Sequence, residues 1–285
     1  MSSPPALIEP ALRDDAFLAD VAAARATAAA RTLFVWWLGQ SGFLLCHRGE
    51  CLLFDPYLSD SLTRKYAATD KPHVRLSARV VDPARLGFVR AVTSTHAHTD
   101  HLDADTLRPL LATAPGAKLV TPSANRKVAE ERLGPGLHDR IVTLPEGGRA
   151  RLGPFAFESV PAAHEALGPE YSGFVVEVGP FRVYHSGDTL RYEGMVERLR
   201  PRAVDLALLP INGRAPERRV AGNLDGPEAA QLAHAIGARW VVPCHYDMFA
   251  FNTASPEPFA RACERLGQPY VVLRHGARWS VEARR

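Results

Sequence analysis

A succession of short apolar runs, rich in Val, Leu and Phe and broken by Gly, Pro or charged turns, constrains this chain more than any other feature. The first three, residues 33–38 (LFVWWL), 43–46 (FLLC) and 51–54 (CLLF), are separated by tight turns and predict an antiparallel meander. Further strand-like runs follow at 88–95, 118–122, 155–160, 174–178, 181–186, 204–210, 239–244 and 270–274. Helical patterns lie between them at 104–113, 123–133, 190–199, 227–236 and 256–266. Asp225-Gly226-Pro227-Glu228 reads as a capping box that opens one of these helices, and Gly237 is placed to end it. A meander followed by strands alternating with helices predicts an α/β fold in which two mixed sheets pack face to face with helices outside, a four-layer αββα sandwich. Residues 33–285 form one domain on this reading. Residues 1–32 form an N-terminal arm that is helical over the alanine-rich stretch 11–31, free to pack on its own domain or on a second chain.

At 285 residues and 46% hydrophobic content, the chain can bury a large core without staples. Its formal charge is only +3 and no Lys/Arg block occurs, which argues against a nucleic-acid partner. No uninterrupted apolar run has the length of a membrane span or a signal peptide, so no membrane partner is expected. Cys46, Cys51, Cys244 and Cys263 make no C-x-x-C pair, and the expectation is reduced thiols in a cytoplasmic protein. Cys46 and Cys51 flank a hairpin turn and are read as two packed thiols.

The chemistry concentrates in Thr95-His96-Ala97-His98-Thr99-Asp100-His101-Leu102-Asp103, at the end of an apolar strand. His96 and His98 share a face of an extended segment because side chains alternate, while Asp100 and His101 turn toward a neighbouring point. Two such groups suit two metal ions. His164, Asp188, His245 and Asp55 each end a predicted strand and can complete the coordination. His47, His73, His138, His234 and His275 have no ligand-type neighbours and read as surface or packing residues.

The H-x-H-x-D-H string at 96–101, a later lone His, a Gly-Asp-Thr strand end and a final His after a Val-rich strand resemble the metallo-β-lactamase superfamily of metal-dependent hydrolases. More narrowly, WLGQSGF (37–43), DPYLSDS (55–61), PAAHE (161–165), YHSGDT (184–189), LLPINGR (208–214) and PCHYDMF (243–249) resemble the branch containing L-ascorbate-6-phosphate lactonase. The resemblance implies the metallo-β-lactamase fold. It also implies one metal on His96, His98 and His164, a second on Asp100, His101 and His245, and Asp188 bridging both. Imidazoles and carboxylates without thiolate suit zinc or manganese, zinc by raw affinity and manganese by the lactonase resemblance. His98 stands where superfamily members that reduce oxygen at a di-iron centre place a carboxylate, which favours hydrolysis.

Two divalent ions would activate a bridging water for attack on a lactone carbonyl, with Asp100 as the catalytic residue that orients it or accepts its proton. Asp55 is expected to hold a ligand histidine in its tautomer, and His185 to line the site or to sit in the core. Asn212 and Arg214, on the loop after an apolar strand, are expected to bind an anionic small-molecule substrate such as a phosphorylated sugar lactone. Two alternatives stand beside this: a phosphodiesterase like the phospholipase D that cleaves N-acylphosphatidylethanolamine, and a non-catalytic, metal-stabilised binding module. Self-association stays open.

Overall fold

The computed structural model describes residues 6–27 and 29–284. Residues 1–5 of the expected arm lie outside them. In chain order the described strands are β1 (Thr32–Gly39), β2 (Gly42–His47), β3 (Glu50–Phe54), β4 (Val89–Thr93), β5 (Lys118–Pro122), β6 (Ile141–Leu144), β7 (Arg149–Leu152), β8 (Phe155–Ala163), β9 (Leu167–Val178), β10 (Phe181–His185), β11 (Leu206–Pro210), β12 (Trp240–Cys244) and β13 (Arg278–Glu282). The helices are α1 (Asp14–Ala26), α2 (Ser61–Lys65), α3 (Ala104–Thr113), α4 (Arg126–Leu133), α5 (Met195–Leu199), α6 (Gly226–Ala235) and α7 (Glu257–Leu266).

Seven strands form one sheet in the order β13-β1-β2-β3-β4-β5-β6, and six form the other in the order β12-β11-β10-β9-β8-β7. Both are mixed: β1 to β3 pair antiparallel and β3 to β6 parallel, while β8 to β10 pair antiparallel and β10 to β12 parallel. The period-two alternation of strands sorts the first sheet's side chains. Val35, Trp37, Phe43, Leu45 and Phe54 face Phe157, Phe174, Val176 and Val183 of the second sheet. Trp36, Leu44, Leu53 and Val92 face outward onto Leu107, Leu110 and Leu111 of α3 and Phe17 and Val21 of α1. Because the parallel strands all finish on one edge of the sandwich, the loops after β3, β4, β10 and β12 meet there.

Several local features follow the sequence directly. Asp103 caps α3, where its Oδ2 also accepts from Thr106 Oγ1 at 2.6 Å. The capping box of α6 has Glu228 N donating to Asp225 Oδ1 at 2.8 Å and Asp225 N donating to Glu228 Oε2 at 3.0 Å. Others differ. The arm is no appendage: α1 buries Phe17, Val21 and Ala24 on its own sheet, and Asp20 accepts from Trp36 Nε1 at 2.9 Å. Residues 190–199 are helical only at Met195–Leu199, because the chain before the left-handed Gly194 crosses the sheet edge, with Leu190 N donating to Ala163 O at 2.7 Å. Residues 270–274 form no strand beyond a single bridge between Tyr270 and Val241. Cys46 and Cys51 are joined in a disulfide and are not packed thiols; the hairpin register sets them directly opposite, with Cα atoms 4.2 Å apart. Cys244 and Cys263 are free and buried. Among the described residues no helix is long and apolar enough to cross a membrane.

Candidate metal centre

After β4 the chain makes a tight turn in which Leu102 N donates to His98 O at 2.8 Å and His101 N to the same oxygen at 3.0 Å. The turn buries His96 and His101 and leaves His98 half-buried at the mouth. Asp55, directly after β3 and with a left-handed φ of 34°, reaches under this turn. Its carboxylate accepts from Thr93 Oγ1 at 2.6 Å, from Thr95 N at 3.1 Å and from Thr95 Oγ1. It also accepts from His101 Nδ1 at 2.7 Å, which fixes the His101 tautomer and leaves Nε2 as a lone-pair donor toward the site. Burial would raise the Asp55 carboxyl, but the His101 hydrogen bond, with the nearby His185 and His101 rings, holds it below the usual carboxylate range.

The second sheet supplies the remaining groups. His164 follows β8, with Nδ1 3.2 Å from Gly222 O. Asp188 follows β10 across Gly187, whose φ is 61° and where an added Cβ would lie 2.7 Å from the Thr95 side chain; glycine is required for this approach. His245 follows β12 with φ 63°, its N–H donating to Gln40 O at 2.9 Å. Three sets of side-chain donor atoms, each set lying within 4.8 Å, result: His96, His98 and His164; His96, His101 and Asp188; and Asp100, His101 and His245. Asp188 lies between the histidines of both sheets, with Oδ1 3.3 Å from His101 Nε2 and Oδ2 3.1 Å from His245 Nε2 and 3.7 Å from His164 Nε2.

The donor chemistry fits divalent metal. His96 Nε2, His101 Nε2 and Asp188 Oδ1 are buried without a hydrogen-bond partner, a costly state that a cation relieves. Burial pushes the His96 and His164 imidazoles down, which favours the neutral form that ligation demands. Burial would raise Asp188 and Asp100, yet the His245 and His101 rings hold both carboxyls well below their ordinary value. In return, and against the effect of burial, the carboxylates raise His101 and lift His245 to about 9. The negative charge of the two carboxylates is thus concentrated at the point where the three donor sets meet.

Other expected site residues lie elsewhere. Arg214 does not face the cleft: its Nη1 and Nη2 each lie 2.6 Å from a Glu228 carboxylate oxygen, so the capping-box glutamate captures the guanidinium in a bidentate pair. Asn212 is buried in a bracket of loops, donating to Asn252 Oδ1 at 3.0 Å and accepting from Asn223 Nδ2 at 3.0 Å. His185 is a core histidine stacked on Phe54; Nε2 donates to Ser41 O at 2.8 Å and Nδ1 accepts from Gly187 N at 3.2 Å. It braces the turn that presents Asp188 and does not line the site.

Above the cluster opens a cavity of about 760 Å³ whose wall includes Tyr66, His73, Phe251 and Arg219. Tyr66 and His73 stack at 4.2 Å, and Phe251 meets His73 edge-on at 4.5 Å. His73, expected to be a packing residue, therefore lines the cleft; sequence spacing gave no sign of it, since α2 and its following loop bring it in from outside the ligand motifs. Gln40 was also missed as a site residue: its Nε2 donates to Asp100 Oδ2 at 2.7 Å.

Comparison with known proteins agrees with this geometry. Residues 51–246 match the family described as the beta-lactamase superfamily domain. A UPF0173 metal-dependent hydrolase of Rubrobacter xylanophilus is 32% identical over 245 residues, spanning 82% of this chain and 89% of that protein. Igni18, described as a novel metallo hydrolase from the hyperthermophilic archaeon Ignicoccus hospitalis, superposes with a TM-score of 0.65 at 25% identity, covering 88% of this chain and 99% of that one. The metallo-beta-lactamase fold protein YhfI of Bacillus subtilis superposes with a TM-score of 0.65 at 16% identity over 88% of this chain and 100% of its own, and shares the fold. The chain belongs to the beta-lactamase superfamily, among the metal-dependent hydrolases of the UPF0173 family.

Proposed function

We propose that the chain is a dinuclear metallohydrolase that opens a lactone or a similar small ester-like substrate. The observation that carries this reading is the position of Asp188, within 3.7 Å of histidines from two ligand sets. His96, His98 and His164 would hold one ion, Asp100, His101 and His245 the other, and Asp188 would serve both. Two divalent ions, zinc or manganese, would supply Lewis-acid polarisation of a carbonyl and a water acidified toward a pKa of about 7.

The chain's own residues do the rest. Asp100, with Oδ2 3.7 Å from His101 Nε2 and 3.5 Å from His245 Nε2, is the group placed to orient the attacking water and to take its proton at a carboxylate oxygen. Asp55 keeps His101 aimed. The Tyr66, His73 and Phe251 wall receives the apolar part of the substrate, and Lys65 and Arg132 around the cavity favour an anionic one, whereas Arg219 is paired with Asp70 at 2.6 Å. With Arg214 bound to Glu228, a phosphate anchor at that position is not part of the proposal.

Metal-reconstituted protein assayed against lactones, phosphodiesters and thioesters tests the reading. Lactone hydrolysis that disappears with chelator and returns with zinc or manganese is expected. Turnover confined to phosphodiesters would overturn the lactone assignment, and loaded protein inert toward every class would point to a binding module.

A further inference from the structure

Gln40 occupies the turn between β1 and β2, fully buried at 0% exposure, in a left-handed backbone conformation with φ 49°. Its main chain is pinned from two sides: the carbonyl accepts from Trp37 Nε1 at 2.9 Å and from His245 N at 2.9 Å. Neighbouring glycines permit this turn; at Gly39, with φ 97°, an added Cβ would lie 2.7 Å from the Met248 side chain. The side chain reaches the set formed by Asp100, His101 and His245. Nε2 donates to Asp100 Oδ2 at 2.7 Å and lies 3.0 Å from His245 Nε2. The amide orientation follows from charge, because the reverse placement would set Oε1 against an anionic oxygen. Oε1 is left buried with no hydrogen-bond partner. Such an orphan is unfavourable, so an apolar residue of the same length would fill the space better unless the donor end has a task.

We propose that Gln40 is a positioning residue for one of the two ions: its amide ties down one oxygen of Asp100 and its backbone carbonyl sets the place of His245, so that the Asp100, His101 and His245 set is preformed. The inference rests on the dinuclear reading above. Gln40 touches neither His96, His98 nor His164 by any hydrogen bond among the described residues, so its influence is confined to one ion of the pair.

Calorimetric titration of metal-free protein with zinc, with thermal unfolding followed in parallel, tests the proposal on three proteins. Wild type should show two binding steps. Gln40→Met, which keeps length and removes the donor, should weaken one step by roughly 10–100-fold, the usual effect of losing a hydrogen bond to a ligand side chain, and leave the other unchanged. Gln40→Leu, which also removes the donor without adding charge, should weaken the same step. Two unchanged steps in Gln40→Met would make Gln40 a packing residue and overturn the proposal. Two unchanged steps in Gln40→Leu would overturn it in the same way. A single step in wild type would sink the dinuclear reading itself. Should Gln40→Met unfold, Gln40→Leu carries the same decision.

Discussion

Replacing Asp188 with Asn is expected to reduce turnover by several orders of magnitude while leaving the chain folded. Asn keeps the volume of the buried side chain but removes the anionic charge that faces His101 and His245 and one of the two ligand oxygens. On the proposed dinuclear reading, loss of a shared ligand would disturb both ions, so the effect should be larger than for a residue that serves one ion. Steady-state kinetics on metal-reconstituted protein, with circular dichroism as the control for folding, measures it. Near wild-type turnover with both ions bound would reduce Asp188 to a turn residue.

The second large effect is expected at Asp55. Its carboxylate accepts from Thr93 Oγ1, Thr95 N, Thr95 Oγ1 and His101 Nδ1, all within the buried base of the site. In Asp55→Asn one oxygen becomes an NH₂ group that faces donors and cannot accept. Ion affinity should fall about 10–100-fold as His101 loses its orientation. The metal-free protein should also lose roughly 1–3 kcal/mol for each buried donor left unpaired. The folded Asp55 carboxyl lies below its ordinary value, so its contribution is complete above the usual carboxylate range and is lost as pH falls through the lower folded value. Chemical denaturation of metal-free wild type and variant at neutral pH, followed by zinc titration, checks both parts. Equal ion affinity in the two proteins would show that His101 is oriented without Asp55.

The convergence of these donor side chains was legible because four of them are dense in sequence and the others each follow an apolar strand. Once parallel strands end on one edge, His96, Asp188 and His245 must meet there whatever the details of the loops. Asp55 was legible for the same reason, as the residue after β3. What spacing could not show is direction. Arg214 lies on the expected loop after β11, but Glu228, placed by the helix cap it also builds, sits close enough to take the guanidinium in two hydrogen bonds. His185 ends a strand as the ligands do, yet its two nitrogens are satisfied by Ser41 O and Gly187 N. Gln40 and His73 enter from segments remote from the motif, where only tertiary packing decides what a side chain touches.

Strand content was read well in the runs of branched and aromatic residues and poorly elsewhere. β6, β7 and β13 were missed because Ile141–Leu144 is only four residues long and both Arg149–Leu152 and Arg278–Glu282 alternate with charged or exposed positions. Residues 270–274 carry the opposite error: a strongly β-prone string that runs beside β12 with two backbone hydrogen bonds, Val241 N to Pro269 O and Val271 N to Val241 O, and builds no ladder. The disulfide between Cys46 and Cys51 depends on register, which a turn of uncertain type leaves undetermined until the hairpin is seen.

Metal stoichiometry tests the central claim most directly. Protein purified without chelator and supplied with zinc or manganese should carry close to two ions per chain by elemental analysis, and His98→Ala should lose one of them preferentially. A wild-type value at or below one ion per chain, unchanged by added zinc or manganese, would contradict the account.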